Sequence, residues 1–438
     1  MMHNQTPRAL ALSLLLRSES DNLYSNLILD TAIRRHPLSD ADRGLLTALV
    51  YGVLEKKLTL DYIIDTLSDR SADKLDPDVR ILLRMGLYQL RFMDRIPAHA
   101  ALNETVSLAP KRARGFVNAL LRRYTRESEG IVWPDRGQEP VRHLSIRYSF
   151  PTPLCQKFID IYGFDRAERL LAAIDQTPPL TLRVNTCRTS VEELSARLTA
   201  AGTSVSPALH TPFALRLEGG NPTALPGFDT GDFFVQDEAS QICVEAVNAR
   251  EGMRVLDICA CPGSKSFGMA IDMNNTGVLS AFDLHENKLS LIEKGAQRLG
   301  LSNITVAARD GRDFDPALEG TADRVLCDVP CSGFGVLAKK PEIRYKDLSD
   351  AARLPEIQLA IVENACRYVK SGGVLVYSTC TLFPEENEGN VARFLARHPE
   401  FSPMDFTVGD LTSTGGMLTL TPDEHGTDGF FVAKLIKE

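Results

Sequence analysis

The sequence contains no apolar run that approaches the length of about 20 residues that a helix needs to cross a bilayer. Its first residues also lack the cleavage pattern of a signal peptide, since Arg8 is soon followed by Arg17. The nine cysteines are irregularly spaced over 438 residues, which argues against the disulfide framework of a small secreted domain. We therefore expect a cytoplasmic protein whose cysteines are thiols.

An excess of positive charge is also missing, because the formal net charge is -8. This value excludes a protein that is covered in basic surface. One segment differs from the rest: residues 101–126 contain six cations and a single acid, Glu104, a balance of +5. The cations are Lys111, Arg112, Arg114, Arg122, Arg123 and Arg126. This patch is suited to phosphates, although a solvated helix face is an equally good interpretation.

Strand signals are absent from the first 126 residues. Apolar residues such as Leu83, Leu87 and Leu90 recur at helical spacing, and Ser39 followed by two acids is typical of a helix start. Glycine and proline dilute this pattern at 127–141, which indicates a linker. Beyond it, helical pieces at 154–162, 167–174 and 191–200 and a strand at 180–185 predict a small α+β module.

From about residue 236, strands alternate with helices, a pattern typical of a doubly wound parallel sheet. The first predicted strand, 254–258, leads into a turn of small residues. The next three, at 277–282, 304–307 and 323–327, lead to Asp283, Asp310 and Asp328. These polar residues should share the carboxyl edge of the sheet, where ligands bind. Asp283 lies about 20 residues after the first turn, the spacing at which a carboxylate holds a ribose diol.

The first turn, residues 259–266, reads CACPGSKS. It matches neither GxGxxG nor the phosphate-binding GxxxxGK pattern, so the support for generic nucleotide binding is weak. Small residues at this position let a ligand approach the backbone, and free N–H groups at the start of the next helix face it.

Two cysteines directly follow predicted strands. Cys331 comes after the strand 323–327, and Cys380 comes after the apolar run 374–377. Because both stand in turns at the carboxyl edge, they are candidates for chemistry. The remaining thiols are interpreted as buried packing residues: Cys155, Cys187, Cys243, Cys327 and Cys366. Cys259 and Cys261 lack a second Cys/His pair at zinc-site spacing, so no metal is expected.

Three motifs resemble the RNA cytosine-5 methyltransferases: DICACPGSK at 257–265, DVPCSG at 328–333 and STCTLFPEEN at 378–387. Residues 85–104, 115–122 and 428–435 resemble the branch of bacterial 16S rRNA methyltransferases that carries a NusB-like helical domain. The resemblance covers nearly the whole chain. It implies an all-α NusB-like RNA-binding domain at 1–140, a small α+β RNA-binding subdomain at 141–235, and an α/β Rossmann-like methyltransferase domain at 236–438.

The resemblance implies S-adenosylmethionine as the cofactor. It places Asp283 on the ribose, Asp310 near the adenine and Asp328 near the methionine end. The first turn is implied to bind the cofactor through Cys259, Ala260, Cys261, Pro262, Gly263, Ser264 and Lys265. The family usually has glycine where this chain has Ser264. Serine would be strained only at a positive φ, so we expect cofactor binding to be retained.

Cytosine C5 is a poor nucleophile until a thiolate adds to C6, and a base must afterwards remove the C5 proton. Two groups are therefore needed. The resemblance assigns the attack to Cys380 and product release to Cys331, with Asp328 orienting the base. Since DNA cytosine methyltransferases attack with a Pro-Cys thiol, Cys331 is the rival nucleophile.

The expected partner is 16S rRNA, free or in an early small-subunit assembly intermediate, and the expected state is a monomer. RNA contacts are predicted for Lys111, Arg112, Arg122, Arg123, Arg183, Lys339, Lys340 and Arg344. An inactive RNA-binding or assembly factor on the same fold is the main alternative. A methyltransferase for proteins or small molecules would leave the two thiols and the basic patch without a role.

Overall fold

The computed structural model describes residues 6–21 and 25–438. The chain forms two compact units, one of Met1–Asp175 with Lys339–Lys346 and one of Gln176–Ala338 with Asp347–Glu438. Within the described ranges, no helix is both long enough and apolar enough to span a membrane.

The described residues of the first unit contain helices and no strand, which confirms the helical character predicted for residues 1–126 as far as the structure describes them. Its helices are α1 Pro7–Asp21, α2 Ser25–Arg35, α3 Asp40–Glu55, α4 Lys57–Leu67, α5 Pro77–Phe92, α6 Ala98–Leu108, α7 Arg114–Glu127, α8 Pro140–Tyr148, α9 Thr152–Tyr162 and α10 Phe164–Ile174. Ser39 caps α3 by accepting a hydrogen bond from the backbone N–H of Asp42 at 3.2 Å. Leu83 and Leu87 of α5 are fully buried, as their spacing predicts.

The first unit continues past the boundary predicted at 140, because α8 to α10 bond to the junction of α3 and α4. The backbone N–H of Leu58 donates to Ser149 Oγ at 2.9 Å, and Thr59 Oγ1 donates to the carbonyl of Ile146 at 2.6 Å. Lys56 forms an ion pair with Asp175 just after α10. These bonds account for the end of this unit at Asp175.

The second unit begins with a small antiparallel sheet. Its strands are β1 Leu180–Val184, β2 Val205–Pro207, β3 Ala214–Leu217 and β4 Phe233–Val235, in the order β2-β3-β1-β4. Helix α11 spans Val191–Ala200, as predicted, and starts with a capping box between Ser190 and Glu193. The buried faces of these elements share one apolar cluster.

The rest of the second unit is built on an eight-stranded sheet. Its strands are β5 Arg254–Asp257, β6 Val278–Asp283, β7 Ile304–Ala308, β8 Ala322–Asp328, β9 Val369–Thr379, β10 Phe401–Pro403, β13 Met417–Leu420 and β14 Phe430–Lys437. A separate hairpin is formed by β11 Thr407–Val408 and β12 Leu411–Thr412. The helices are α12 Glu238–Val247, α13 Ser264–Asp272, α14 Glu286–Leu299, α15 Leu348–Ala351, α16 Leu354–Ala365, α17 Glu388–Arg397 and α18 Pro422–His425.

The strand order is β10-β14-β9-β8-β5-β6-β7, with β13 beside β14. Strands β5 to β9 are parallel, whereas β14 is antiparallel to β9. The chain runs outward from β5 to β7 and then returns to β8 on the other side of β5. The carboxyl ends of β5 and β8 therefore flank a topological switch point, where open α/β sheets bind ligands.

A buried ion-pair network joins three helices of the first unit. Arg84 on α5 is 3% exposed and donates to both carboxylate oxygens of Asp61 on α4, at 2.7 and 2.8 Å. It also pairs with Glu19 on α1. Burial raises the pKa of Glu19, but the opposing effect of Arg84 and Arg80 is larger in sum and leaves that pKa below its ordinary value. The network thus favours the charged carboxylate of Glu19.

We expect Arg84→Met to lower the free energy of unfolding of the first unit by about 3 kcal/mol, because the partly buried Asp61 loses its cation and Glu19 is left with Arg80. Trp133, the single tryptophan of the chain, lies in this unit with its ring 5.4 Å from that of Tyr62. Its fluorescence during urea unfolding of the full chain measures the change.

The matched control is Arg122→Met, since Arg122 is exposed and its guanidinium bonds to the Asn118 side chain within its own helix. We expect it to change the free energy by less than about 0.5 kcal/mol. Because the folded pKa of Glu19 is depressed, the stabilisation is present above the ordinary carboxyl range and lost as the pH falls through the folded value. Equal effects of both variants at neutral pH would contradict this account.

Candidate active site

The two thiols singled out in the sequence come together in the structure. β8 and β9 pair in parallel with Asp328 opposite Ser378, so the turns after them start side by side. The Sγ atoms of Cys331 and Cys380 are 3.2 Å apart. The backbone N–H of Cys380 also points at Cys331 Sγ, at 3.3 Å. The predicted placement of both cysteines in turns at the carboxyl edge is confirmed.

The surroundings of Cys331 favour its neutral thiol. Its hydrogen bond with Cys380 and its burial raise the pKa of Cys331 well above the ordinary value, and the nearby carboxylate of Glu386 acts in the same direction. Cys331 can therefore donate its proton to Cys380, and a thiolate on Cys380 would accept that hydrogen bond.

Lys265, Asp328 and Ser378 form a polar cluster beside the thiols. Lys265 Nζ donates to Asp328 Oδ2 at 2.7 Å, and Ser378 Oγ donates to Asp328 Oδ1 at 2.8 Å. Burial lowers the pKa of Lys265, but the Asp328 carboxylate outweighs it and the pKa lies above the ordinary value. Cys380 also contributes to this rise, so the ammonium group acts electrostatically on the same thiol. The cluster places a fixed positive charge near Cys380.

A set of buried polar side chains supports the turn of Cys331. Glu386 is 2% exposed and accepts hydrogen bonds from the backbone N–H of Ser332 at 3.0 Å and from Gln358 Nε2 at 2.8 Å. Gln358 Nε2 also donates to the carbonyl of Pro330 at 3.0 Å. Both Ser332 and Pro330 adjoin Cys331, so these bonds determine where its thiol lies.

The turn of Cys380 has its own support. Thr379 Oγ1 donates to Asn387 Oδ1 at 2.5 Å, and Asn387 Nδ2 donates to the carbonyl of Thr381 at 3.0 Å. Glu386 and Asn387 belong to the motif at 378–387, but no role was predicted for them. Gln358 was missed entirely, because it is one polar residue on an otherwise ordinary helix, α16.

The predicted cofactor turn lies between β5 and α13. The backbone N–H of Cys261 donates to Asp283 Oδ2 at 3.2 Å, and that of His285 donates to Asp283 Oδ1 at 3.0 Å. Gly263 has a φ of 109°, whereas Ser264 is the first residue of α13 and is not among the residues with positive φ. The substitution of serine for the usual glycine is therefore free of backbone strain.

The acids of this edge differ in charge state. Complete burial raises the pKa of Asp257 to about 7, although Ser266 Oγ donates to it at 2.6 Å. Arg312 has the opposite effect on Asp310: its guanidinium and backbone N–H donate to the carboxylate and lower that pKa to about 2. The charged form is thus favoured at Asp310, whereas burial favours the neutral form of Asp257.

These residues fit S-adenosylmethionine by the chemistry of their donors and acceptors. Three carboxylates lie along this edge: Asp283 at the end of β6, Asp310 just after β7 and Asp328 at the end of β8. Carboxylates of this kind offer acceptors for the ribose hydroxyls, the adenine amino group and the cationic methionine end of the cofactor. The turn of small residues at 259–263 leaves the backbone open to approach.

The basic residues predicted to contact RNA divide into two groups. The exposed group comprises Lys111, Arg112, Arg122, Arg123 and Lys340, and Lys339 is partly exposed. Arg112 pairs with Asp76 at 3.1 Å, and Arg123 pairs with Glu127 at 2.7 Å. Exposure leaves these residues available to a polyanion, and their RNA contacts stay predictions.

The other two arginines predicted to contact RNA are buried in this structure, so they lack the exposure that such a contact requires. Arg183 is 0% exposed and its Nη2 donates to Asp272 Oδ1 at 2.6 Å within the second unit. Arg344, in the segment that belongs to the first unit, is 1% exposed. Its guanidinium lies 4.2 Å from the ring centroid of Phe150 and donates to the carbonyl of Glu55 at 3.2 Å. The sequence pattern around these arginines is hydrophilic, so it did not show that their side chains bind groups inside the protein rather than water.

The remaining cysteines are mostly buried, as predicted, but Cys187 is exposed. The reason is its place in the turn after β1 rather than in an apolar core position. All nine cysteines are present as thiols.

Comparison with known proteins assigns each part of the chain. Residues 244–436 match the family described as 16S rRNA methyltransferase RsmB/F. Residues 5–126 match the NusB family, and residues 150–224 match the ferredoxin-like domain of RsmF/B-like methyltransferases. The predicted order of a NusB-like domain, a small α+β domain and a methyltransferase domain is confirmed. The methyltransferase match also confirms S-adenosylmethionine as the cofactor.

Similarity extends over whole chains. The probable ribosomal RNA small subunit methyltransferase B of Bacillus subtilis is 38% identical over 450 residues, covering 100% of both chains. The protein with the same description from Synechocystis is 39% identical over 98% of this chain and 99% of its own. The crystal structure of the protein PH0851 superposes with a TM-score of 0.80 at 26% identity, covering 98% of this chain and 99% of that one. On these grounds the chain belongs to the 16S rRNA methyltransferase RsmB/F family.

Proposed function

We propose that this protein methylates C5 of a cytosine in 16S rRNA through a covalent adduct between Cys380 and C6 of the base. The observation that carries the proposal is the pair of thiols 3.2 Å apart in the turns after β8 and β9, beside the Lys265–Asp328 ion pair. A reaction that needs one thiolate to attack and one further group to assist release uses both thiols. Methylation at an oxygen or nitrogen atom would use neither.

In the first step the Cys380 thiolate forms a bond to C6. The C5–C6 π pair moves to C4–C5, and the C4–N3 π pair moves to N3, which takes a proton from water. Lys265 favours the thiolate by its charge, and Cys331 stabilises it with a hydrogen bond. Asp328 orients the base, because its carboxylate is held by Lys265 and Ser378 and keeps lone pairs for a further donor.

S-adenosylmethionine, when bound, supplies the methyl group that C5 takes up, and its sulfur keeps the bonding pair. In the second step a base removes the C5 proton, the electron pair restores the C5–C6 double bond, and the Cys380–C6 bond breaks. N3 returns its proton, and Cys380 leaves as a thiolate. Cys331 lies within hydrogen-bond distance of the leaving sulfur and can donate to it, which favours elimination.

The charge pattern suits an RNA substrate in an otherwise acidic protein. The exposed cations near α7, with Lys339 and Lys340, offer contacts to phosphates. The target cytosine must be unpaired or flipped from its stack to reach a thiol at a sheet edge. Free 16S rRNA and an early assembly intermediate both meet this condition.

The function is tested with the full chain, labelled S-adenosylmethionine and 16S rRNA from cells that lack the gene. We expect one cytosine to become protected in bisulfite sequencing. Absence of methyl transfer to both free RNA and small-subunit precursors would favour the alternative of an inactive RNA-binding factor.

Trapping on RNA that contains 5-fluorocytosine distinguishes the two thiols. We expect the wild type and Cys331→Ala to form an adduct that survives denaturation, whereas Cys380→Ala forms none and loses methyl transfer by about 100-fold or more. On ordinary cytosine, Cys331→Ala should accumulate the adduct because release is impaired. An adduct with Cys380→Ala but not with Cys331→Ala would reverse the assignment.

The cofactor turn predicts different effects for two neighbouring substitutions. In Gly263→Ala the new Cβ would lie 2.7 Å from the Phe267 ring at a φ of 109°, so we expect S-adenosylmethionine to bind roughly tenfold more weakly. In Ser264→Gly no strain is relieved, and the affinity should change by less than about threefold. Isothermal titration measures both, and a large gain of affinity in Ser264→Gly would show that the serine is unfavourable.

The basic patch is tested by the salt dependence of RNA binding. Replacing Lys111 and Arg122 with glutamine should weaken binding at low salt and reduce the slope of log affinity against log salt by about 0.7 for each phosphate that the variant no longer neutralises. Arg95→Gln is the control, since Arg95 is exposed in the same unit but outside the segment 101–126. Equal slopes for all proteins would exclude the patch as a phosphate-binding surface.

A further inference from the structure

A cavity of about 680 Å³ lies in the second unit, apart from the thiols and the cofactor turn. Its lining includes Asn248 and Arg250 from the segment before β5, Lys434 from β14, and Phe406 from the loop after β10. No residue of the active site described above contributes to it. The volume lies within the range of small-molecule sites in proteins.

Lys434 is the unusual residue of this cavity. It is 5% exposed and occupies a position in β14 where its neighbours on the same face, Phe430 and Val432, belong to the apolar core. Its Nζ lies 5.9 Å from the centroid of the Phe406 ring. An ammonium group at such a position requires a partner to balance the cost of burial.

The charged groups that act on Lys434 are the cations Arg324 and Arg250 rather than a carboxylate. Among the residues that the structure describes, no carboxylate forms an ion pair with Lys434 or Arg250. Burial, together with repulsion from Arg324 and Arg250, lowers the pKa of Lys434 to about 8. Arg324 donates to the carbonyl of Asp323 at 2.8 Å, while its Nε is buried without an acceptor. The Asp323 carboxylate acts electrostatically on Arg324, whereas Lys434 and Arg250 have no ion-pair partner within the described part of the chain.

The acids that line the cavity are bound to other partners. Glu245 accepts a hydrogen bond from Thr211, and burial raises its pKa. Asp272 is paired with Arg183, and Asp405 accepts from the backbone N–H of Gly416 at 2.7 Å and from Ser413 Oγ at 3.3 Å.

We propose that this cavity binds a phosphate group between Lys434 and Arg250. A doubly charged oxyanion offers acceptors to both side chains, and charge-assisted hydrogen bonds of this kind are among the strongest in proteins. It also offsets the repulsion between Lys434, Arg250 and Arg324. The phosphate belongs either to an RNA backbone or to a free phosphate compound, and both present the same group.

The test uses the full chain with inorganic phosphate at constant ionic strength, with chloride as the reference. We expect saturable binding in calorimetry and a higher melting temperature in phosphate than in chloride. Lys434→Met should weaken phosphate binding by about tenfold or more, and Arg250→Gln should weaken it in the same direction. Since Arg250 is exposed, its variant keeps the test valid if the buried substitution disturbs folding.

Lys437→Met is the matched control. Lys437 lies in the same strand, outside the cavity lining, and donates to the carbonyls of Cys366 and Val369. We expect phosphate to bind this variant as it binds the wild type. The proposal is overturned if the wild type shows no saturable binding, or if the Lys434, Arg250 and Lys437 variants all bind phosphate equally.

A second measurement with single-stranded RNA identifies the source of the phosphate. If Lys434→Met and Arg250→Gln weaken both phosphate and RNA binding, the cavity takes a backbone phosphate of RNA. If they weaken phosphate binding while the RNA affinity and its salt slope are unchanged, the cavity takes a free phosphate compound. Both readouts measure binding, so they are independent of methyl transfer and of which thiol attacks.

Discussion

The ion pair of Lys265 with Asp328 is the interaction on which the active site depends. It joins the first helix after the cofactor turn to the end of β8, and Ser378 extends it to β9. Asp328 stands three residues before Cys331, and Ser378 stands two residues before Cys380. The two charges lie largely out of water, where each requires the other. The pair therefore holds the cofactor turn and the two turns that carry the thiols next to each other.

The two thiols differ because their surroundings differ. Cys331 is held by bonds that Glu386 and Gln358 make to the residues on either side of it. Its hydrogen bond with Cys380 and its burial raise its pKa, so its neutral thiol is favoured. Cys380 interacts electrostatically with the ammonium group of Lys265 and contributes to the raised pKa of that lysine. These differences support the proposed division of roles, in which Cys380 attacks and Cys331 assists release, although both occupy equivalent positions after adjacent strands.

The arginines and lysines of this acidic chain fall into a buried group and an exposed group. Arg84, Arg183 and Arg344 are buried and connect elements within their own units. The cations near α7 remain at the surface, where long-range attraction to a polyanion acts. Buried and exposed cations contribute equally to the net charge that is calculated from the composition. Net charge therefore describes the solubility of the protein better than its affinity for RNA, which depends on where the exposed cations are placed.

The sequence by itself determined the elements and their order. Helical periodicity such as that of Leu83 and Leu87, the apolar strands, and acids such as Asp283 directly after those strands reflect local rules, because strand ends and turns depend on neighbouring residues. The motifs around Cys331 and Cys380 also identified the family correctly. The cofactor edge followed from these features, since parallel strands present their carboxyl ends together.

Only the tertiary structure decided which side chains meet. The contact of Gln358 with Glu386, the burial of Arg183 and Arg344, and the position of Lys434 beside the Phe406 ring each join residues that are far apart in sequence. Nothing in the local pattern separates a buried arginine with an internal partner from an exposed one, because the difference lies in what packs against it. The physical reason is that burial and electrostatics depend on the whole fold, whereas helix and strand signals depend on a few adjacent residues.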